Sequence, residues 1–299
     1  MWLESTVLDV RLSRRRMRRG TRAFRREIDI DDARIFVDHG FQWDGAKNVW
    51  LTRARAAFVL GSGPSFRLRP RGFIERAIGW QRGRPSGDEC IDVFFVALTS
   101  DPESTWAALT ARSRWLMASA FDDSQLVSDG QMVTLLREAD FGREADAAAA
   151  VELVAEVTAF RAEQFKQLSS LPGAIYYRAR GGWQSRQPPS ILLHLPSPVV
   201  LEPISSERGA TLSATANCRG NSPRVVIDLG GNLSASIESC ARIGVRLEFL
   251  NQLGLSRFSC DGSKVTLVWP NFQIDRPLIL AGARLATELA GNGRQALYR

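Results

Sequence analysis

Lysine is almost missing from this 299-residue chain, occurring only as Lys47, Lys166 and Lys264. Histidine is scarcer still, with His39 and His194 far apart. Four cysteines, Cys90, Cys218, Cys240 and Cys260, are widely spaced and form no Cys-x-x-Cys pair. No apolar run approaches the ~18–20 residues that cross a bilayer, and arginines rather than an apolar stretch follow Met1-Trp2-Leu3-Glu4. Each gap excludes something. Without His or Cys at ligand spacing no zinc site is expected, and no disulfide framework either. Without a transmembrane run or a visible secretory signal, a cytoplasmic protein with free thiols and no membrane contact is expected.

What the chain has in quantity is arginine. Lys and Arg total 39 against 32 acidic residues, a formal charge of +7. Arg for Lys is either background composition or a choice for bidentate capture of carboxylate or phosphate. The charge is uneven: Arg14, Arg15, Arg18 and Arg22 belong to a crowd of arginines in the first thirty residues. Such a run reads as a solvated face or arm, with an anionic partner as the sharper alternative. A basic field speeds encounter with a nucleic acid and with an acidic peptide alike.

Self-similarity organises the rest. Asp129-Gly130-Gln131-Met132-Val133-Thr134-Leu135 matches Asp261-Gly262-Ser263-Lys264-Val265-Thr266-Leu267, 132 positions on. The same offset pairs Phe94-Phe95-Val96 with Val226-Ile227-Asp228, Arg114 with Arg246 and Glu156 with Glu288. Each copy reads as strand, strand, helix, strand, strand, helix. In the first, 66–69 and 93–98 are extended and Asp101-Pro102-Glu103 opens a helix. Trp106, Leu109, Trp115, Leu116 and Phe121 supply the apolar side of that helix, a hairpin spans 125–136, and a helix covers 145–164. In the second, strands at 210–216 and 224–229 precede a helix over 234–253 and a hairpin over 256–269. The last helix, over 276–290, has Pro277 in its first turn and Gly291 past its end.

The fold expected is therefore α+β: an internally duplicated, pseudo-two-fold ββαββα unit with an extra β-rich N-terminal segment. The parts are a basic segment 1–65, a first repeat 66–168, a Pro/Gly/Ser-rich connection with irregular strands 169–207, and a second repeat 208–299. In the N-terminal segment, runs at 7–12, 22–30 and 48–59 suggest strands around a turn at Trp43-Asp44-Gly45. A sheet with one helix-covered face has edges at which an extended peptide can add a strand.

The order Phe66-Arg67-Leu68-Arg69-Pro70-Arg71-Gly72-Phe73, then Gly87-Asp88 ahead of Ile91-Asp92-Val93-Phe94-Phe95-Val96, a helix, Asp129-Gly130 and an Ala-rich helix resembles a bacterial domain common in myxobacterial genomes. The resemblance covers about 66–160, with an echo in 200–290 that lacks the Gly-Asp lead-in. It is similar to accessory proteins of crocagin-type ribosomal peptide pathways. The resemblance implies binding of a precursor peptide, presented to modifying enzymes, rather than catalysis.

The residues themselves display little chemistry. His39 reads as a turn residue and His194 as a strand residue; neither can be placed beside a nucleophile. Gly61-Ser62-Gly63-Pro64-Ser65 lacks the Gly-Lys-Ser/Thr ending of a phosphate loop and reads as a linker. Asp31 or Asp32 reads as a helix cap rather than a cation ligand. Asp88, Glu89 and Asp92 are the only tight acidic cluster beside a strand, and they alone keep an enzyme reading open. No catalytic residue, metal or cofactor is assigned. Trp106 and Trp115 are expected in the core. Trp43, Trp50, Tyr176, Tyr177 and Trp183 lie in turn-rich segments with Arg178 nearby, a mixture suited to binding hot spots or base stacking. These five aromatics, with Arg14, Arg15, Arg18, Arg22 and Arg178, are the candidate peptide-binding residues of a non-enzymatic monomer or homodimer. A nucleic-acid-binding protein or an unrecognised enzyme is the alternative.

Overall fold

The computed structural model describes residues 24–43, 48–72, 75, 83, 85–138, 144–180, 187–206, 209–218, 224–229, 233–270 and 275–291. The chain divides into two compact units between Phe160 and Arg161. The architecture is α+β, with one seven-stranded antiparallel sheet in each unit.

In the first unit, β1 (Phe24–Ile30), β2 (Ala33–Trp43), β3 (Asn48–Ala57) and β4 (Ser65–Pro70) come first. Next come α1 (Glu89–Phe94), β5 (Phe95–Thr99), α2 (Pro102–Ala108) and α3 (Ala111–Ala120). The hairpin β6 (Gln125–Asp129) and β7 (Met132–Arg137) leads into α4 (Glu144–Thr158). The strand order is β1-β2-β3-β7-β6-β4-β5. Ala54, Ala56, Leu126, Val133 and Leu135 alternate along their strands and are fully buried beneath α4, which packs on β2, β3 and β7 with Val154 and Val157 inward. The Val151/Val154/Val157 spacing accounts for this face, because residues three apart share one side of a helix.

The second unit begins with α5 (Ala162–Gln167), β8 (Ala174–Tyr177), β9 (Ser190–Leu193), β10 (Val199–Ser206), β11 (Gly209–Asn217) and β12 (Val225–Asp228). It continues with α6 (Leu233–Ile243), α7 (Leu247–Gln252), the hairpin β13 (Arg257–Cys260) and β14 (Lys264–Trp269), and α8 (Arg276–Gly291). Its sheet runs β12-β13-β14-β11-β10-β9-β8. Helix α8 lies on β10, β11 and β14 and α6 on β12, burying Leu201, Leu212, Ala214, Phe258 and Leu267. A run of four strands follows a like order in the two sheets, β3-β7-β6-β4 in one and β11-β14-β13-β12 in the other.

The hairpin turns are alike in detail. Asp129 Oδ1 accepts the backbone N–H groups of Gln131 and Met132, both at 2.8 Å. Asp261 Oδ1 accepts those of Ser263 and Lys264 at 2.9 and 2.8 Å. Gly130 and Gly262 follow at φ 89° and 93°, a region that suits glycine.

Several expectations need correction. The helix expected over 145–164 breaks after Thr158, where Arg161 adopts φ 60° before α5 starts. The helix over 234–253 is likewise two, separated at Gly244 with φ 68°. Val93 and Phe94 end α1 rather than begin a strand, because Asp88 starts that helical turn by accepting the N–H groups of Ile91 and Asp92. Asp31, at φ 48°, and Asp32 form the β1–β2 turn and cap no helix. His39 is a buried strand residue whose ring meets Thr52 Oγ1 at 2.7 Å. His194 follows β9 and is exposed. Trp115 is 55% exposed with the Arg112 guanidinium 4.7 Å over its ring, so it is not core. The connection 169–207 contains the regular strands β8, β9 and β10. The expected strand at 7–12 lies outside the described residues.

Candidate functional site

The proposed contact residues are distributed unevenly. Arg14, Arg15, Arg18, Arg22 and Trp183 lie outside the described residues. Trp43 ends β2 opposite Asn48, and Trp50 sits in β3 opposite Phe41; the side chains of both lie outside the described part. Tyr176 and Tyr177 share β8, with Arg178 exposed directly after it.

Strand β8 ends its sheet. It pairs with β9 in the register Ala174↔Leu193, Ile175↔Leu192, Tyr176↔Ile191 and Tyr177↔Ser190. Ile191 and Leu193 are fully buried, so Ala174 and Tyr176 lie on the helix side, where Phe165 meets the Tyr176 ring at 6.4 Å. Ile175 and Tyr177 lie on the other side, 44% and 38% exposed. Leu192 and Val200 continue that side inward from Ile175 as a half-exposed, uncharged strip. The Arg180 guanidinium is 6.0 Å from the Tyr177 ring centroid, within cation–π reach.

The other sheet ends are protected differently. β1 carries Arg25, Arg26, Glu27 and Asp29 along an exposed edge, the charge pattern that discourages edge-to-edge pairing. Beside β5, Gly83 at φ 101° lies so close that a Cβ there would be 2.6 Å from the Ala97 carbonyl oxygen. β12 includes Asp228, ion-paired to Arg257 at 3.4 Å. β8, with the sequence Ala-Ile-Tyr-Tyr, contains no charged residue.

A second feature lies in the first unit, on the side of the sheet away from α4. Asp38, Arg53 and Arg55 share it: Arg53 Nε donates to Asp38 Oδ1 at 2.8 Å, and Arg55 Nη2 stands 3.4 Å from Asp38 Oδ2. Arg25 is opposite Asp38 in the β1–β2 register and lies 5.4 Å from the Phe36 ring centroid. Arg67 on β4 donates to the neutral Gln125 Oε1 through Nε and Nη2. Burial lowers the Arg55 pKa; Asp38 raises it, and Arg53 and Arg25 lower it further.

The acidic cluster is engaged in holding its own loop. Asp92 accepts the Ser86 N–H at 2.8 Å, the Ser86 hydroxyl at 2.9 Å and the Gly87 N–H at 3.1 Å. Asp88 accepts from Arg114 Nε at 3.0 Å, and Arg114 also donates to the Leu109 carbonyl. Two of the three carboxylates are thereby occupied with loop and helix. Among the described residues no group of three or more His, Cys, Asp or Glu has the arrangement of a metal site. Cys240 and Cys260 are buried, and burial, with Glu248, pushes the Cys240 pKa up, away from nucleophile behaviour. No helix is long and apolar enough to cross a membrane among the described residues.

Sequence reasoning reached β8 through its aromatics but missed the Arg53–Asp38–Arg55 cluster. Its signal was the Thr52-Arg53-Ala54-Arg55-Ala56 alternation, a period of two that puts both arginines on one face. No protein-family model, curated protein or solved structure matches the chain.

Proposed function

We propose that this protein is a non-enzymatic peptide-binding protein, and that an extended peptide adds to its second sheet alongside β8. The observation that carries this reading is the contrast between sheet ends: β1 is charged, β5 is closely covered at Gly83, and β8 is short, uncharged and flanked by half-exposed Ile175 and Tyr177. In an antiparallel ladder alternate residues of an edge strand direct N–H and C=O outward, which gives an added strand its backbone hydrogen bonds. Ile175 and Tyr177 supply the side-chain contacts on one face, with Arg178 and Arg180 at the end of the strand. The resemblance to accessory proteins of ribosomal peptide pathways makes the ligand a precursor peptide, held for modifying enzymes. The like order of four strands in each sheet and the matching Asp-Gly turns support an origin of the two units by duplication.

The test is selection of displayed random dodecapeptides on the purified full chain, repeated on Ile175→Lys, which places a gatekeeping charge on the edge. Saturable peptide binding that is lost in the variant, with an unchanged melting temperature, is the expected result. Selected peptides that bind both proteins equally would refute edge pairing at β8.

A further inference from the structure

The side of the second sheet away from its helices carries a row of side chains that crosses all seven strands. Register places Ile175 opposite Leu192, Leu192 opposite Val200 and Val200 opposite Thr215. Thr215 is opposite Thr266, Thr266 opposite Ser259 and Ser259 opposite Val226. None of the seven is charged; the five inner ones are half-exposed, and Ile175 and Val226, at the two ends, are 44% and 54% exposed. Within the strands, charge on this side lies off the row, at Glu202, at Lys264 and in the Arg257–Asp228 ion pair.

An extra strand beside β8 lengthens this row. Residues directly opposite one another in a ladder project from the same side of a sheet. Ligand positions facing Ile175 and Tyr177, two apart, therefore both turn to this side. We infer that the peptide taken by β8 is read through apolar side chains at those two positions, β-branched aliphatic against Ile175 and apolar against Tyr177, rather than through carboxylates. The inference rests on edge pairing at β8 and adds which peptides that edge accepts. A carboxylate facing Ile175 gives up water against an aliphatic side chain and finds no cation in the row. Facing Tyr177, a β-branched side chain makes the aromatic–β-branched pair that stabilises sheets, and the nearby Arg180 guanidinium already stands over the ring. A second copy of the chain fits this edge less well: β8 has four residues, about 13 Å of strand, whereas a stable dimer buries about 800 Å² on each partner.

Fluorescence anisotropy on the full chain tests the inference with two labelled nonapeptides, Gly-Ser-Thr-Val-Thr-Val-Thr-Ser-Gly and the same peptide with Asp for both Val. The Val peptide is expected to bind saturably and at least about tenfold more tightly than the Asp peptide, the effect of burying roughly one aliphatic side chain. Ile175→Ala leaves the backbone edge in place and adds no charge, and should weaken the Val peptide several-fold. Ile175→Lys should abolish binding, and Val226→Thr, at the far end of the row, should change nothing. Both positions are exposed, so melting temperatures should stay level. Equal binding of the two peptides, or tighter binding of the Asp peptide, with loss of both in Ile175→Lys, overturns the apolar reading and leaves edge pairing standing. No binding of either peptide, or binding indifferent to Ile175→Lys, removes both. Concentration-dependent dimerisation in sedimentation that Ile175→Lys abolishes and the Val peptide does not displace would replace the peptide with a second copy.

Discussion

The indole of Trp269 occupies the space that a side chain on Gly282 would need: a Cβ there would stand 2.6 Å from Cζ2 of the ring. Trp269 is fully buried and donates through Nε1 to the Leu253 carbonyl at 2.8 Å. One residue thus ties β14, α8 and the end of α7 together. Gly282→Val is expected to destabilise the second unit by about 1–3 kcal/mol, the usual range for overpacking a filled core. Urea unfolding of the full chain followed by tryptophan fluorescence measures it. An unchanged midpoint would mean that α8 slides away from β14 without cost.

Asp261 gives a prediction in pH. The N–H and hydroxyl of Ser263 and the N–H of Lys264 hold its carboxyl below the usual carboxylate range. An unfolded aspartate titrates near 3.9. The hairpin stabilisation is therefore complete above about pH 4 and disappears as pH falls through the lower folded value. A carboxyl carbon NMR titration should show a midpoint below that of a free aspartate. Asp261→Asn keeps an acceptor for both N–H groups and should lose this contribution to acid sensitivity. A midpoint at the ordinary value would mean that the turn opens in solution.

Asp92→Ala separates structure from chemistry in the acidic cluster. Removing the acceptor of the Ser86 and Gly87 N–H groups should cost about 1–2 kcal/mol of stability. Peptide binding at β8, in the other unit, should be untouched. Thermal melting alongside the dodecapeptide assay reads both. A variant that melts normally would leave the carboxylate available for another role.

How much was legible in the sequence depended on range. Local signals carried: Asp-Gly at 129 and 261 marked the hairpins because a short turn needs a positive-φ glycine and an Asp acceptor. Asp101 before Pro102 marked a helix start, and its Oδ1 accepts the Ser104 N–H at 3.1 Å. Helix interruptions were hidden, since Arg161 gives no sign of its φ 60° and Gly244 is the only breaker within its run. The offset of 132 serves from the hairpin onward, where Glu156 and Glu288 occupy the same position in α4 and α8. It misleads at 94–96. β12 pairs with β13, the place that β4 holds beside β6, while β5 pairs outward from β4. Between β4 and its hairpin the first unit carries α1 and β5 as well as two helices, whereas β12 is followed by α6 and α7 alone among the described elements. Of the candidate site, the aromatic pair of β8 could be read and its edge position could not, because strand order is set by pairings between distant residues. The Arg53–Asp38–Arg55 cluster was missed for the same reason: it exists only once β2 and β3 are in register.

The strand orders also bear on the timing of folding. Each Asp-Gly hairpin closes over two residues and forms on the microsecond scale. The pairing that joins it to the preceding strands is slower, because chain must be looped out first. In the first unit that pairing links Thr52 to Arg137 and Ala57 to Met132; in the second it links Leu212 to Trp269 and Asn217 to Lys264, over much shorter stretches. The half of the protein that leaves the ribosome first is thus the one whose sheet closes over the longer loop, and during that interval β3, with its two arginines, has β2 beside it and waits for β7.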